Sequence, residues 1–416
     1  MPSAKVGHFV PEGRGRLRVD VRDESTHAAP MIAQVKRVLV EREAAMLALL
    51  EELVRVNSFT DNAAGGEAVG AILTRELSAI AGIAVQRVAS ARRASHLVAT
   101  SSAARASAEG CTAIVGHLDT VFPPGIFEGY RHDGTIARGP GVLDMKGGLV
   151  VAIEALRALA TSGALAAIPV RLVLVSDEEV GSPEGREVIT RELAGAACAL
   201  VLEAGRDKDA IITARKGTGS VTAVASGHAA HAGNAHRAGA NAIWALARFV
   251  DLAQRLTDYE RGVTVNVGKV SGGQGKNTVP DRAEALVDFR YARLADGDTI
   301  RAALVRVGRE AAAGVAGTSV VVENGPGRFP LERTEANVAL YREYAECAQA
   351  SGLGTGEAPL LGGGSDASST AAMGIPSIDG LGPRGSGFHT KEELIETATL
   401  IPKAEALARF LLGRAR

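Results

Sequence analysis

Apolar residues at Met46, Leu47, Leu49, Leu50, Leu53 and Val54 recur at helical spacing over Glu43 to Val56, where Asn57-Ser58 breaks the pattern. A second helix is predicted from about Glu67 to Ala79. Short runs rich in branched residues follow at Val85 to Val88, Leu97 to Ala99 and Thr112 to Val115. Next come a helix over Gly148 to Leu159 and a nearly continuous apolar strand over Val170 to Val175. Strands covered on both faces read this way. The alternation of strand and helix predicts an α/β domain with a mostly parallel sheet.

The texture changes after Ala214. Ser220 to Ala225, Val263 to Val270 and Ala283 to Tyr291 alternate polar and apolar residues, with helical stretches at Asn241 to Arg255 and Asp298 to Ala313. Such strands interleaved with two helices predict an inserted, ferredoxin-like α+β domain with its helices on one sheet face. Glycine-rich segments return from Leu361, and a helix over Ile401 to Leu412 closes the chain. The expected division is a first domain over 36–214 and 328–416, interrupted by an inserted domain over 215–327. Residues 1–35 read as a flexible N-terminal extension. Met1 to Pro30 is mixed polar, without the apolar stretch of a signal peptide.

Composition narrows the function. A chain of 416 residues exceeds what one core fills, about 250–300 residues. Forty-six basic and 47 acidic residues leave a net charge of −1, which argues against a nucleic-acid or membrane-surface partner. No run of about 18 apolar residues suggests a membrane span. Cys111, Cys198 and Cys347 are too few and scattered for a disulfide scaffold, so packing roles in a reducing cytoplasm are expected. A small molecule is the expected partner.

Candidate chemistry clusters where apolar strands end. His117 follows such a strand, with Asp119 two residues on. A histidine can bind a metal through one ring nitrogen while a carboxylate orients the other. Asp144 sits between two glycine pairs, where it can equally cap a helix. Asp177-Glu178-Glu179 follow the Val170 to Val175 strand; three crowded carboxylates repel unless a cation joins them. Glu203 ends another apolar strand, and His389 lies in a glycine-rich loop. Together these supply the donors that two divalent cations sharing one carboxylate need.

The chain resembles the M20 metallopeptidase family, and within it the glutamate carboxypeptidase branch. The motifs are Gly116-His-Leu-Asp-Thr-Val-Phe-Pro-Pro-Gly125, Gly139-Pro-Gly-Val-Leu-Asp-Met-Lys-Gly-Gly148 and Asp177-Glu-Glu-Val-Gly-Ser182. His231-Ala-Gly233, Gly362-Gly-Gly-Ser-Asp366, Leu381-Gly-Pro383 and His389 complete the set. The resemblance implies two Zn2+ ions per subunit, with Mn2+ or Co2+ also suited to such ligands. His117 binds one ion, His389 the other, Asp144 bridges, and Glu179 and Glu203 complete the shells. By the same resemblance Asp119 is expected to orient His117, and Glu178 to be the general base. Spacing alone also allows Glu179 as base and Glu178 as ligand; the resemblance favours the first.

His231, in the inserted domain, is expected to reach a partner subunit's site and donate to the oxyanion, making that domain both a lid and a homodimer interface. Asn277 and Arg290 are expected to hold the substrate carbonyl and carboxylate, with backbone donors from Gly363 and Gly364. One departure stands out: a lysine expected to read a glutamate side chain has no counterpart in register. The implied reaction is exopeptidase or amidohydrolase cleavage of an amide beside a free carboxylate, releasing a C-terminal amino acid, glutamate first. The alternatives are an N-acyl-amino-acid deacylase of acetylornithine or succinyl-diaminopimelate type, and a catalytically idle metal-binding relative.

Overall fold

The computed structural model describes residues 25–106 and 109–415. Its largest sheet contains β1 (Ile83–Val88), β2 (His96–Ser101), β3 (Thr112–His117), β4 (Val170–Val175), β5 (Cys198–Val201) and the late strand Ser377–Ile378. The order is β1-β2-β4-β3-β5 and then Ser377–Ile378. β4, β3, β5 and the late strand run parallel, while β1 and β2 form an antiparallel edge. The sheet is therefore mostly parallel, as its unbroken apolar strands predict.

Alternation along each central strand feeds two cores. Ile114, Leu172 and Leu174 enter the core beneath helices α1 (Ser25–Glu41), α2 (Glu43–Arg55), α3 (Ala63–Ser78) and α4 (Gly147–Thr161). Ala113, Val115, Val173 and Val175 enter the core on the opposite face. Asn62 caps α3 by accepting from the Gly65 N–H at 3.2 Å, which starts that helix earlier than its apolar spacing suggested.

The expectation of a flexible extension over 1–35 needs correction at its end. Residues 1–24 lie outside the described residues, but Ser25 begins α1. Val35, Val38 and Leu39 are buried in the main core, and Lys36 meets the buried Glu405 at 3.4 Å. The i, i+3, i+4 spacing of those three apolar residues makes the helix; Pro30, inside α1 and exposed, does not end it.

A second sheet forms wholly from residues 217–328. It comprises β6 (Gly217–Ser226), β7 (Thr264–Gly272), β8 (Arg282–Tyr291) and β9 (Ser319–Arg328), in the order β7-β8-β6-β9 with every pairing antiparallel. With α5 (Ala242–Gln254) and α6 (Leu294–Ala313) the connectivity is β-α-β-β-α-β. Val221, Ala223 and Ala225 point inward to Leu246, Phe249, Phe289 and Leu304, a core of its own. The chain then returns through α7 (Glu335–Ala350) and closes with α8 (Leu400–Leu412), which packs on α4 and α7. Among the described residues no helix is long and apolar enough to cross a membrane.

Candidate metal centre

Register decides where the charged residues gather. β3 and β4 run parallel with His117 opposite Val175, and β3 and β5 pair Val115 with Val201. His117, the segment Ser176–Glu179 and Glu203 therefore emerge together at the carboxyl ends of three adjacent parallel strands, the edge where open α/β sheets bind ligands. Asp144 arrives from the turn Val142–Lys146 that leads into α4. His389 arrives from the loop after Ser386 with φ of +63°.

The Asp144 turn is held from below. The buried Glu393 carboxylate accepts from the backbone N–H groups of Gly141 and Leu143, both at 2.9 Å, and of Asp144 at 3.0 Å. Gly141 has φ of +74°, a conformation that glycine enters without steric cost. A Cβ there would also lie 2.6 Å from Thr120 Cγ2. The Asp144–Met145 peptide bond is cis.

The two Asp144 oxygens face two histidines. Oδ1 lies 3.2 Å from His117 Nε2, and Oδ2 lies 3.3 Å from His389 Nε2. Each imidazole also faces one glutamate: Glu203 Oε1 is 3.7 Å from His117 Nε2, and Glu179 Oε2 is 3.2 Å from His389 Nε2. His117 Nδ1 lies 2.9 Å from the Asp119 carbonyl, with the Asp119 carboxylate behind it at 3.4 Å. That carboxylate accepts from Thr60 Oγ1 at 2.7 Å and from the N–H groups of Glu178 and Glu179 at 3.1 and 3.2 Å. Asp119 thus ties the β3 end to the β4 end.

Glu178 stands apart from its neighbours. It shares a volume with His117 and Glu203, their ligand atoms all within 4.8 Å of one another. Unlike Glu179 and Glu203, however, it carries an arginine: Arg328 Nη1 lies 2.7 Å from Glu178 Oε1, and Nη2 donates to the Glu178 carbonyl. Arg328 ends β9, so it links the second unit to this cluster. In the sequence it marks only the expected boundary between the two domains.

Electrostatics mark the cluster as built for positive charge. Burial pushes Glu178 up to about 8 against the pull of Arg328. Burial also raises Glu179, and raises Glu203 well above the carboxylate range with Asp144 adding to it. Burial disfavours charge on His117, yet Asp119 and Asp144 outweigh it and hold the imidazole well above its ordinary range. Asp144 and Glu179 hold His389 at about 10. Burial disfavours charge on Asp144 too, but the two histidines keep it ionised. Protons on these groups do the neutralising work that divalent cations do better. With cations bound, carboxylates ionise and imidazoles deprotonate to serve as ligands. The donor set of two imidazoles and three carboxylates, one presenting an oxygen to each side, fits a pair of such ions.

The remaining sequence candidates lie elsewhere in the chain. His231 is exposed on a short ribbon, its Nδ1 accepting from the N–H groups of Gly233 and Asn234 at 3.1 Å. Asn277, also exposed, accepts from the Ala232 N–H at 2.9 Å through its backbone oxygen. His231 and Asn277 are thus neighbours, and neither hydrogen-bonds to the metal cluster within the described chain. Arg290 pairs with Asp288 at 2.9 Å and donates to the Gly362 carbonyl at 3.3 Å. Gly363 accepts from Arg215 at 3.2 Å. A Cβ on Gly364 would lie 2.9 Å from Arg328 Cδ. Glu393, Thr60 and Arg328 were not singled out in the sequence, because their roles depend on contacts 59 to 252 residues away.

The profile of peptidase family M20/M25/M40 matches residues 113–413. The chain belongs to this family. It is a hydrolase of a metal-dependent peptidase family, and its cluster of buried histidine and carboxylates is the candidate metal site. Carboxypeptidase G2 of Pseudomonas sp. (strain RS-16) is 28% identical over 385 residues, covering 89% of this chain and 90% of the relative. A succinyl-diaminopimelate desuccinylase of Gluconacetobacter diazotrophicus is 27% identical, covering 71% of this chain and 79% of its own. The fold of an aminopeptidase from Bacillus cereus superposes with a TM-score of 0.73 at 23% identity, over 90% of this chain and 99% of that one. This M20 chain thus has both peptidases and a deacylase among its relatives.

Proposed function

We propose that this M20 enzyme is a dinuclear zinc amidohydrolase that cleaves an amide beside a free carboxylate and releases a C-terminal amino acid, with glutamate the first candidate. The observation that carries this reading is the Asp144 carboxylate, whose two oxygens face His117 and His389 at 3.2 and 3.3 Å. In this reading His117, Asp144 and Glu203 hold one ion and His389, Asp144 and Glu179 the other. Manganese or cobalt would suit the same donors. The ions would supply Lewis acidity at the amide carbonyl and acidify water.

The chain's own residues do the rest. Glu178 takes a proton from the attacking water and passes it to the leaving nitrogen. Arg328, 2.7 Å from its carboxylate, holds Glu178 in place for that transfer. Asp119 holds His117 in orientation. A second copy of the chain supplies His231 to the developing oxyanion, with Asn277 beside it, through a homodimer formed by the 215–327 unit acting as lid. Arg290 holds the carboxylate beside the scissile bond, and Gly363 and Gly364 line the substrate.

Relatedness to a desuccinylase over 71% of the chain supports a second reading, an N-acyl-amino-acid deacylase. Zinc-reconstituted protein assayed on dipeptides and N-acyl amino acids, beside a chelated control, separates the two. Chelator-sensitive release of C-terminal glutamate is the expected result. A preference for acetyl or succinyl amides moves the enzyme to the deacylases, and no turnover on any of them overturns both.

A further inference from the structure

Most cations around the metal centre are committed. Arg328 holds Glu178, and Arg290, paired with Asp288, is the residue assigned above to the carboxylate beside the scissile bond. Arg215 is buried against Asp379 at 2.6 Å and also donates to Gly363. Arg206 differs. Among the described residues no hydrogen bond or ion pair reaches its guanidinium, and its Nε is enclosed without an acceptor.

Its position is nevertheless fixed. Gly382 donates to the Glu203 carbonyl at 2.9 Å and Gly205 to the Pro383 carbonyl at 3.0 Å, so segments 203–206 and 382–389 begin side by side. Each delivers one candidate ligand, Glu203 or His389, and one neighbouring side chain. Those neighbours meet, with the Arg206 guanidinium 5.1 Å from the centroid of the Phe388 ring. Phe388 in turn lies edge-on to the His389 ring at 5.5 Å. Stacking on an aromatic ring sets the plane of a guanidinium and spares part of the entropy cost of ordering it.

A half-buried arginine whose Nε has neither acceptor nor counter-ion is costly, and cations at Glu203 and Asp144 would raise that cost. Burial is the main influence disfavouring its charge, with Arg215 adding to it, while Asp379, Glu203 and Asp144 favour it. Asp379 is already engaged by Arg215. Cations held by Glu203 and Asp144 would cancel most of the attraction those two carboxylates offer. An arriving anion would supply the missing counter-charge, and a planar fork with free Nη donors matches a carboxylate with two parallel hydrogen bonds. Two nearby cations do not offer this: Arg215 is buried and paired, and Lys208 is exposed on a left-handed turn.

We propose that Arg206 is a specificity-determining residue that holds the side-chain carboxylate of the amino acid to be released, making this enzyme selective for acidic C-terminal residues. The inference rests on the amidohydrolase reading above.

The test compares zinc-reconstituted wild type and Arg206→Gln on two matched substrates, N-benzoyl-glutamate and N-benzoyl-glutamine, with metal content and melting temperature as controls. Wild type is expected to favour the glutamate substrate. The variant should raise KM for it by about 10- to 100-fold, the worth of one charged hydrogen-bonded pair, with kcat and the glutamine substrate little changed. Arg206→Lys, which keeps the charge but not the fork, should fall between the two. A wild type without the preference, or a variant that keeps it, overturns the inference while leaving the amidohydrolase reading intact. Wild type that hydrolyses neither substrate removes that reading and this inference together.

Discussion

The two ends of the candidate site are built in opposite ways. On the parallel sheet, His117, Asp119, Glu178 and Glu203 are buried side chains at strand ends, cross-tied by Asp119 and Glu393 before any cation or substrate arrives. On the second unit, His231 and Asn277 sit on an exposed ribbon, bonded among the described residues to their own turn and to the facing strand. One half is pre-organised by long-range packing; the other is open surface. That contrast suits a reaction whose charge chemistry must be dry and rigid, and whose substrate must still enter and leave.

Removing charge from the rigid half should have the largest effect. Asp144→Asn keeps the shape but takes the shared negative charge from between the two histidines. Turnover should fall to background, with both ions lost on dialysis, and chelation of the wild type should do the same. Retention of full metal content in the variant would show that Asp144 does not bridge. Glu178→Gln comes next: turnover should drop by about 10²- to 10⁴-fold, the usual worth of a general base, with metal content unchanged. Loss of an ion in that variant would instead make Glu178 a ligand and pass the base role to Glu179.

The same contrast explains what the sequence could reveal. Strand-end chemistry was legible because a continuous apolar run such as Val170 to Val175 both predicts a buried parallel strand and points to the residues just after it. Spacing within one motif placed His117 with Asp119, and the structure keeps them in contact. What spacing could not carry was any partnership across the chain. Glu393 reaches 249 to 252 residues back to the Asp144 turn. Arg328 meets Glu178 only because β9, a strand that glycines and a proline hide in the sequence, ends beside β4. Helix α1 was lost for a different reason: Pro30 and the polar residues before it outweighed the helical spacing of Val35, Val38 and Leu39.

The exposed half is broken more gently. His231→Ala should lower kcat by about 10²- to 10³-fold, the range for an oxyanion donor, without touching metal content. Mixing sharpens this. Heterodimers of His231→Ala and Glu178→Gln chains contain one site with an intact base and an intact partner histidine. Activity should reappear on mixing two inactive proteins, whereas a histidine acting within its own chain would leave every site dead.

The smallest effect is expected at Glu393, where two costs oppose each other. Its carboxylate accepts from three backbone N–H groups, yet burial still pushes it up to about 7, so holding it ionised in the apo protein is itself unfavourable. Glu393→Gln removes the buried charge but turns an amide nitrogen toward one of those donors. The lost acceptor costs about 1–3 kcal/mol, and relief of the buried charge offsets part of it. Stability should therefore change little, while the Asp144 turn loosens and metal affinity falls by about 10-fold, as for other groups that support a ligand from behind. Titration of the apo variant with zinc, set against its melting temperature, separates the two. An unchanged affinity with a large loss of stability would make Glu393 part of the core rather than a support for the metal centre.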